Sequence, residues 1–147
     1  MMNCAMLPDE ITSTPSKPLV AICSQDAEVY LFLHHILDVD GFASTLASTR
    51  EEMFDLADTA NVRAWILDCH SGNGMAANCV RLRQDPRIGG LPIVALISQD
   101  AQDQHIALLK AGIDECFVRP MVPAELLAYL RSRLGGPARL AAGLSLS

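Results

Sequence analysis

The stretch Leu91-Pro92-Ile93-Val94-Ala95-Leu96-Ile97, followed by Ala101–Lys110 and then by Cys116-Phe117-Val118, contains a strand, a helix and a second strand. Pro92–Ile97 is apolar throughout, as a strand covered on both faces must be. In Ala101–Lys110 the residues Ile106 and Leu109 stand three apart, which predicts one helical face turned inward, and Gly112 stops the helix. Two strands joined through a helix lie parallel, and the crossover between them is right-handed.

The same alternation runs outward from there. Ala64-Trp65-Ile66-Leu67 predicts a third strand that carries Asp68 at its carboxyl end, and Met75–Gln84 predicts the helix before Asp85-Pro86 and Gly89-Gly90 break the chain. Upstream, Leu19–Cys23 reads as the first strand, Asp26–Leu37 as a helix with Val29, Leu33, Ile36 and Leu37 at helical spacing, and Phe42–Ala47 as the second strand. Ser48 and Thr49, with Glu51 and Glu52 three residues on, form a capping-box pattern that opens the next helix. Downstream, Glu125–Leu134 closes the series with Leu127, Leu130 and Leu134 on one face. The expected fold is α/β, a doubly wound five-stranded parallel sheet in the order 2-1-3-4-5, flavodoxin-like.

Length and composition fit one such domain. The chain has 147 residues, half of them hydrophobic and 19% charged, enough for a sizeable core. Residues 1–17 read as a leader, 18–134 as the domain and 135–147 as a tail after Gly135-Gly136-Pro137. A formal net charge of −6, with only 11 Lys and Arg spread along the chain, argues against nucleic acid as the partner. No apolar run is long enough to cross a bilayer, and residues 1–17 make a poor signal peptide, so the expected location is cytoplasmic with no membrane partner. Cys4, Cys23, Cys69, Cys79 and Cys116 contain no CxxC pair and match no zinc spacing, so they read as structural.

Folds of this class gather their chemistry at the carboxyl ends of the central strands. That rule brings together Ser24-Gln25-Asp26, Asp68, Ile97-Ser98 and Arg119. Asp26 is placed to cap the first helix. His34 and His35 are adjacent on a helix, point in different directions and read as surface residues; His70 and His105 read as exposed, and Gly72-Asn73-Gly74 as a plain turn.

From Pro18 to Leu134 the layout resembles the receiver domain of two-component response regulators. Ala111-Gly112-Ile113-Asp114-Glu115-Cys116-Phe117-Val118-Arg119-Pro120 is similar to that family's Ala-Gly-x-Asp-x-x-x-x-Lys-Pro segment. Leu91–Leu96 resembles its fourth strand, and Trp65-Ile66-Leu67-Asp68 its third strand with the phosphoacceptor aspartate. The resemblance implies that Asp68 is the phosphoacceptor candidate. It also implies that two acidic residues after the first strand should hold Mg²⁺, that a Ser or Thr should end the fourth strand, and that a Lys should follow the fifth. Here those positions are Ser24 and Gln25, Ile97, and Arg119, with Ser98 one residue beyond the expected hydroxyl and Gly72 where the family usually has Pro. Asp68 and Asp26 are poor Mg²⁺ candidates, because hard octahedral coordination favours several oxygen ligands. With no strong metal site, Arg119 is expected to pair directly with Asp68.

The resulting expectation is an atypical, degenerate pseudo-receiver that acts in phosphorelay signal transduction by protein docking. It is not an enzyme and has no resident cofactor. Its partner is a histidine kinase or another signalling protein, or a second copy meeting it through the fourth helix, fifth strand and fifth helix, with Leu108, Cys116 and Tyr129 as contact residues. The alternative is a phosphorelay receiver phosphorylated on Asp68 despite the degraded pocket. A flavodoxin-like cofactor enzyme fits poorly, because the loop Ser24-Gln25-Asp26-Ala27 is acidic and lacks Gly. A cis peptide before Pro120 is common in the family, and the sequence leaves it open.

Overall fold

The computed structural model describes residues 17–69, 74–99 and 102–135. The expected leader up to residue 16, the tail from residue 136, Cys4, His70, Gly72 and Asn73 lie outside the described residues. Strands and helices alternate as β1 (Leu19–Cys23), α1 (Ala27–Val39), β2 (Ala43–Ala47), α2 (Arg50–Thr59), β3 (Val62–Asp68), α3 (Met75–Gln84), β4 (Ile93–Ile97), α4 (Gln102–Ala111), β5 (Glu115–Val118) and α5 (Pro123–Leu134). All neighbouring strands are parallel, in the order β2-β1-β3-β4-β5.

The central strands are apolar on both faces because each face has its own core. Trp65, Leu67, Ile93 and Ile97 pack with Met53, Cys79, Leu82 and Leu108 from α2, α3 and α4. Ile22, Ile66, Val94 and Leu96 pack with Leu33 and Leu37 of α1 and Leu126 and Leu130 of α5. Asp26 caps α1 by accepting from Glu28 N at 2.9 Å. Thr49 caps α2 by accepting from Glu52 N at 3.1 Å, and the Glu52 carboxylate returns to Ser48 N at 2.7 Å, so the capping box forms as its sequence predicts.

Side-chain placements in two helices differ from the sequence reading. Ile106 and Leu109 point outward, 59% and 48% exposed, whereas Leu108 is fully buried. Leu108 is therefore core and cannot be a docking contact. The cause is the end of α4: Ile113 N bonds Leu108 O at 3.1 Å and Gly112 N bonds Leu109 O at 3.1 Å, with Gly112 at φ +108°. This Schellman ending places an apolar contact between the residues equivalent to Leu108 and Ile113, and both are buried. In α5 the fully buried leucines are Leu126 and Leu130, while Leu127 and Leu134 pack only partly, and the helix opens earlier, at Pro123.

Arg83 ties four segments together. Its Nε donates to Gly112 O at 2.9 Å, its Nη1 to Gly89 O at 3.0 Å and Leu91 O at 2.7 Å, and its Nη2 to Asp114 Oδ2 at 2.5 Å. Asp114 Oδ2 also accepts from Ile93 N at 2.8 Å, at the entry to β4. A Cβ on residue 112 would stand 2.9 Å from Arg83 Cγ, a second reason for glycine there. Arg83→Ala strands three carbonyls and a carboxylate at a largely buried junction. We expect it to cost about 2–4 kcal/mol, several charge-assisted bonds partly replaced by water. Urea unfolding checks this, and a loss under about 0.5 kcal/mol contradicts it.

Candidate functional site

The carboxyl edge of the sheet carries the polar residues. β1 ends at Cys23, and Ser24 N bonds Ala47 O at 3.1 Å, which pins the following turn against β2. That leaves Ser24 Oγ facing β3, where it donates to Asp68 Oδ2 at 2.6 Å and accepts from Asp26 N at 3.0 Å. Asp68 is the last residue of β3, stands in register with Leu96, and is buried. β5 delivers Arg119 one residue past its end, where Arg119 N bonds Ile97 O at 2.8 Å. Its guanidinium Nη2 forms an ion pair with Asp68 Oδ1. The Arg119–Pro120 peptide is cis.

The structure thus joins three of the residues singled out in the sequence: Asp68, Ser24 and Arg119. The Asp68 side chain is fully buried, and the Arg119 side chain is 30% exposed. Burial pushes the Arg119 guanidinium below its ordinary value, and the nearby Asp26 charge opposes that shift. The group stays protonated in any case. Gln25 is exposed and faces a pocket on the other side of Asp68. Ile97 is buried in the apolar cluster with Cys69 and Cys79. β4 runs through Ile97 in unbroken register with β5, without a bulge, and Ser98 is exposed one residue beyond. His34 and His35 are exposed as expected, with His34 Nδ1 2.6 Å from Ser44 Oγ. His105 is half-buried.

A magnesium ion does not fit these donors. Both Asp68 oxygens already have partners, one of them a cation, and Asp26 Oδ1 is taken by the α1 cap. Among the described residues, no group of three or more His, Cys, Asp or Glu side chains is placed to hold a metal.

Beneath the site lie three buried thiols, Cys23, Cys69 and Cys79. Burial is the main cause that pushes all of them up, Cys69 to about 12 and Cys79 to about 11. A thiol with a raised folded-state value favours folding below its unfolded value of about 8.5 and loses that contribution as pH rises. Stability is therefore expected to be flat near neutrality and to fall above about pH 9, by up to ~1.4 kcal/mol per pH unit for each thiol. Urea midpoints at pH 7, 9 and 10 measure the slope. It should flatten in Cys69→Ala/Cys79→Ala, and an equal slope in that variant contradicts the assignment.

No family model matches the chain. The sequence is similar to the phosphate regulon transcriptional regulatory protein PhoB of Rhizobium meliloti, 26% identical over 121 residues covering 80% of this chain and 52% of that protein. It is also similar to the response regulator MprA of Mycolicibacterium vanbaalenii, 29% identical over 117 residues covering 78% of this chain and 49% of that protein. A response-regulator crystal structure from Chloroflexus aurantiacus superposes with a TM-score of 0.74 at 27% identity, over 81% of this chain and 98% of that one. The chain contains a response-regulator receiver domain. A Thermotoga maritima response regulator shares the fold at a TM-score of 0.71 and 19% identity, over 81% of this chain and 98% of that one. The chain spans about half the length of the curated relatives it matches. The matching receiver structures are covered almost whole. No described helix is long and apolar enough to cross a membrane.

Sequence reasoning missed two features of this receiver. Ser24 was read as a neutral residue in place of a metal ligand, yet its hydroxyl is a donor to Asp68. Its place at the end of β1, the strand next to β3, was the available signal. Asn78, a buried amide on α3, carried no motif at all.

Proposed function

We propose that this receiver is a cytoplasmic signalling module that docks to protein partners, with phosphorylation of Asp68 weak or absent and no enzymatic turnover of its own. The observation that carries the reading is the double engagement of Asp68 by the Ser24 hydroxyl and the Arg119 guanidinium. An attacking carboxylate needs a free oxygen and a metal-bound phosphoryl group opposite it. Here a fixed internal cation occupies one Asp68 oxygen, and Ser24 and Gln25 stand where the resemblance implies metal ligands. The docking face is the outer side of α4, β5 and the start of α5, where Ile106, Leu109, Val118 and Val122 are all exposed. Cys116 and Tyr129, both half-buried, flank it. Its occupant is a histidine kinase, another signalling protein or a second receiver.

One observation favours the alternative, a phosphorelay receiver: Asp68 lines an open pocket of about 260 Å³. Incubation with acetyl phosphate and Mg²⁺ followed by intact mass separates the two. The expected result is no stoichiometric gain. A gain of one phosphoryl group, absent in Asp68→Ala, replaces our reading with the phosphorelay one. In the same experiment, Ile106→Glu/Leu109→Glu should abolish capture of a cognate kinase or self-association on gel filtration. Unchanged behaviour in both assays removes this face from the proposal.

A further inference from the structure

The pocket beside Asp68 opens away from Arg119, toward the turn after β2 and the start of α3. Its floor is apolar, made by Ala47, Met53 and Met75, and Ala77 stands exposed at its mouth. Gln25, Arg50 and Asp68 also line it, and two further polar features face it. The first is the start of α3, whose N-cap is Gly74 at φ +73°, a residue with no side chain of its own to cap the helix. The second is Asn78, which is 8% exposed and lines the pocket. The Asn78 Nδ2 donates only to the Met75 sulfur, at 3.5 Å, and no described residue donates to its Oδ1. Thioether sulfur is a weak acceptor. A buried carboxamide left with a weak bond on one side and none on the other is costly unless something outside the protein completes it. The other lining hydroxyls are already spoken for, Ser24 by Asp68 and both Ser48 and Thr49 by Glu52.

The shape of the unmet demand defines a ligand. Asn78 offers an N–H pair and a carbonyl side by side, so its complement is a carbonyl beside an N–H. Methionine sulfur and methyl groups suit the face of an aromatic ring. The volume, about 260 Å³, lies just under the ~300–1,000 Å³ of pockets for drug-sized ligands, which limits the guest to one ring or two. Asp68, the only carboxylate among the described lining residues, is offset by Arg119, and Arg50 adds a cation to the wall, so the pocket does not select a cation. We infer that this pocket binds a small, flat molecule, not a cation, that presents an amide-type edge, as in an aromatic carboxamide or a lactam ring, to Asn78. The site does not depend on whether Asp68 is ever phosphorylated.

Benzamide is a direct probe, and N,N-dimethylbenzamide, which keeps the carbonyl but lacks the N–H, is its control. With the full chain labelled with ¹⁵N, benzamide should shift the Asn78 side-chain amide signals saturably, with half-saturation at or below the millimolar range expected of a single-ring ligand. The control should bind about tenfold more weakly or worse, because a site built around a hydrogen bond rejects the analogue that leaves it unmade. Asn78→Leu should abolish saturation. Ala77→Trp, which fills the exposed mouth and leaves Asn78 in place, should do the same and decides the matter if the leucine variant melts early. Shifts that grow linearly with concentration, equal binding of the two compounds, or saturation that survives Ala77→Trp would each overturn the inference and leave Asn78 facing water only.

Discussion

Arg119→Ala is expected to destabilise the domain by about 2–4 kcal/mol, more than any other single change at this edge of the sheet. The argument is an asymmetry of burial. The Asp68 side chain is fully buried, whereas Arg119 is 30% exposed. Removing the guanidinium takes away the cation paired with a buried carboxylate, which keeps its bond from the Ser24 hydroxyl. Breaking a fully buried pair typically costs about 3–5 kcal/mol, and the exposure of Arg119 reduces that somewhat, because water reaches the vacated space. The mirror-image change, Asp68→Asn, should cost less, on the order of 1–2 kcal/mol, since the guanidinium left behind can turn to solvent and to Asp26. Arg119→Lys falls between the two, because an ammonium restores the charge but not the planar donor. Urea unfolding with an unchanged m-value reads all three variants. If Arg119→Ala and Asp68→Asn cost the same, or both stay within about 0.5 kcal/mol of the parent, the ion pair is incidental and the proposed function loses its main support.

The fold was legible because the signals that specify it are local. The first, third and fourth strands read as apolar runs, the capping box at Ser48–Glu52 formed as written, and Met75–Gln84 matched residue for residue. Which face of α4 turns inward was also written in the chain, but in its terminus, not in its periodicity. Ile106/Leu109 and Leu108/Ala111 are both three-residue pairs, so spacing alone cannot choose between them. Gly112 as the left-handed residue after the helix fixes Leu108 and Ile113 as the contact pair, and that selects the second stripe. Arg83 was beyond sequence reasoning for a different reason. Its acceptors are backbone carbonyls of Gly89, Leu91 and Gly112, and no residue pattern advertises a carbonyl. The candidate site was half legible. Strand order brings residues 24, 68 and 119 to one rim, and opposite charges there attract. That the Ser24 hydroxyl would point to Asp68 depended on the turn being pinned by Ala47 O, a tertiary detail.

Rebuilding the pocket should raise Mg²⁺-dependent phosphorylation well above that of the parent chain. The variant Ser24→Asp/Gln25→Asp/Ile97→Thr/Arg119→Lys places two new carboxylates beside Asp68, supplies a hydroxyl at the end of β4, and withdraws the guanidinium. Each change has a separate physical task. The two aspartates provide oxygen ligands and the charge to offset a divalent cation. The lysine frees an Asp68 oxygen, because a flexible ammonium does not hold a carboxylate side-on as arginine does. The threonine donates to a phosphoryl oxygen as charge develops there. Losing even an outer partner of a metal ligand costs about 10–100-fold in affinity, so gaining two ligands should raise Mg²⁺ affinity by at least that much. Bound metal then reports itself twice, as one phosphoryl group in the intact mass after acetyl phosphate treatment, and as a melting temperature that climbs with Mg²⁺ by mass action. Keeping Arg119 while adding the two aspartates and the threonine is the decisive control. If the guanidinium is the internal cation that keeps magnesium out, that triple variant stays largely unphosphorylated although it has every carboxylate it needs. Phosphorylation of the triple variant at the rate of the quadruple one would show that Arg119 does not compete with the metal, and that the missing acidic pair alone silences Asp68.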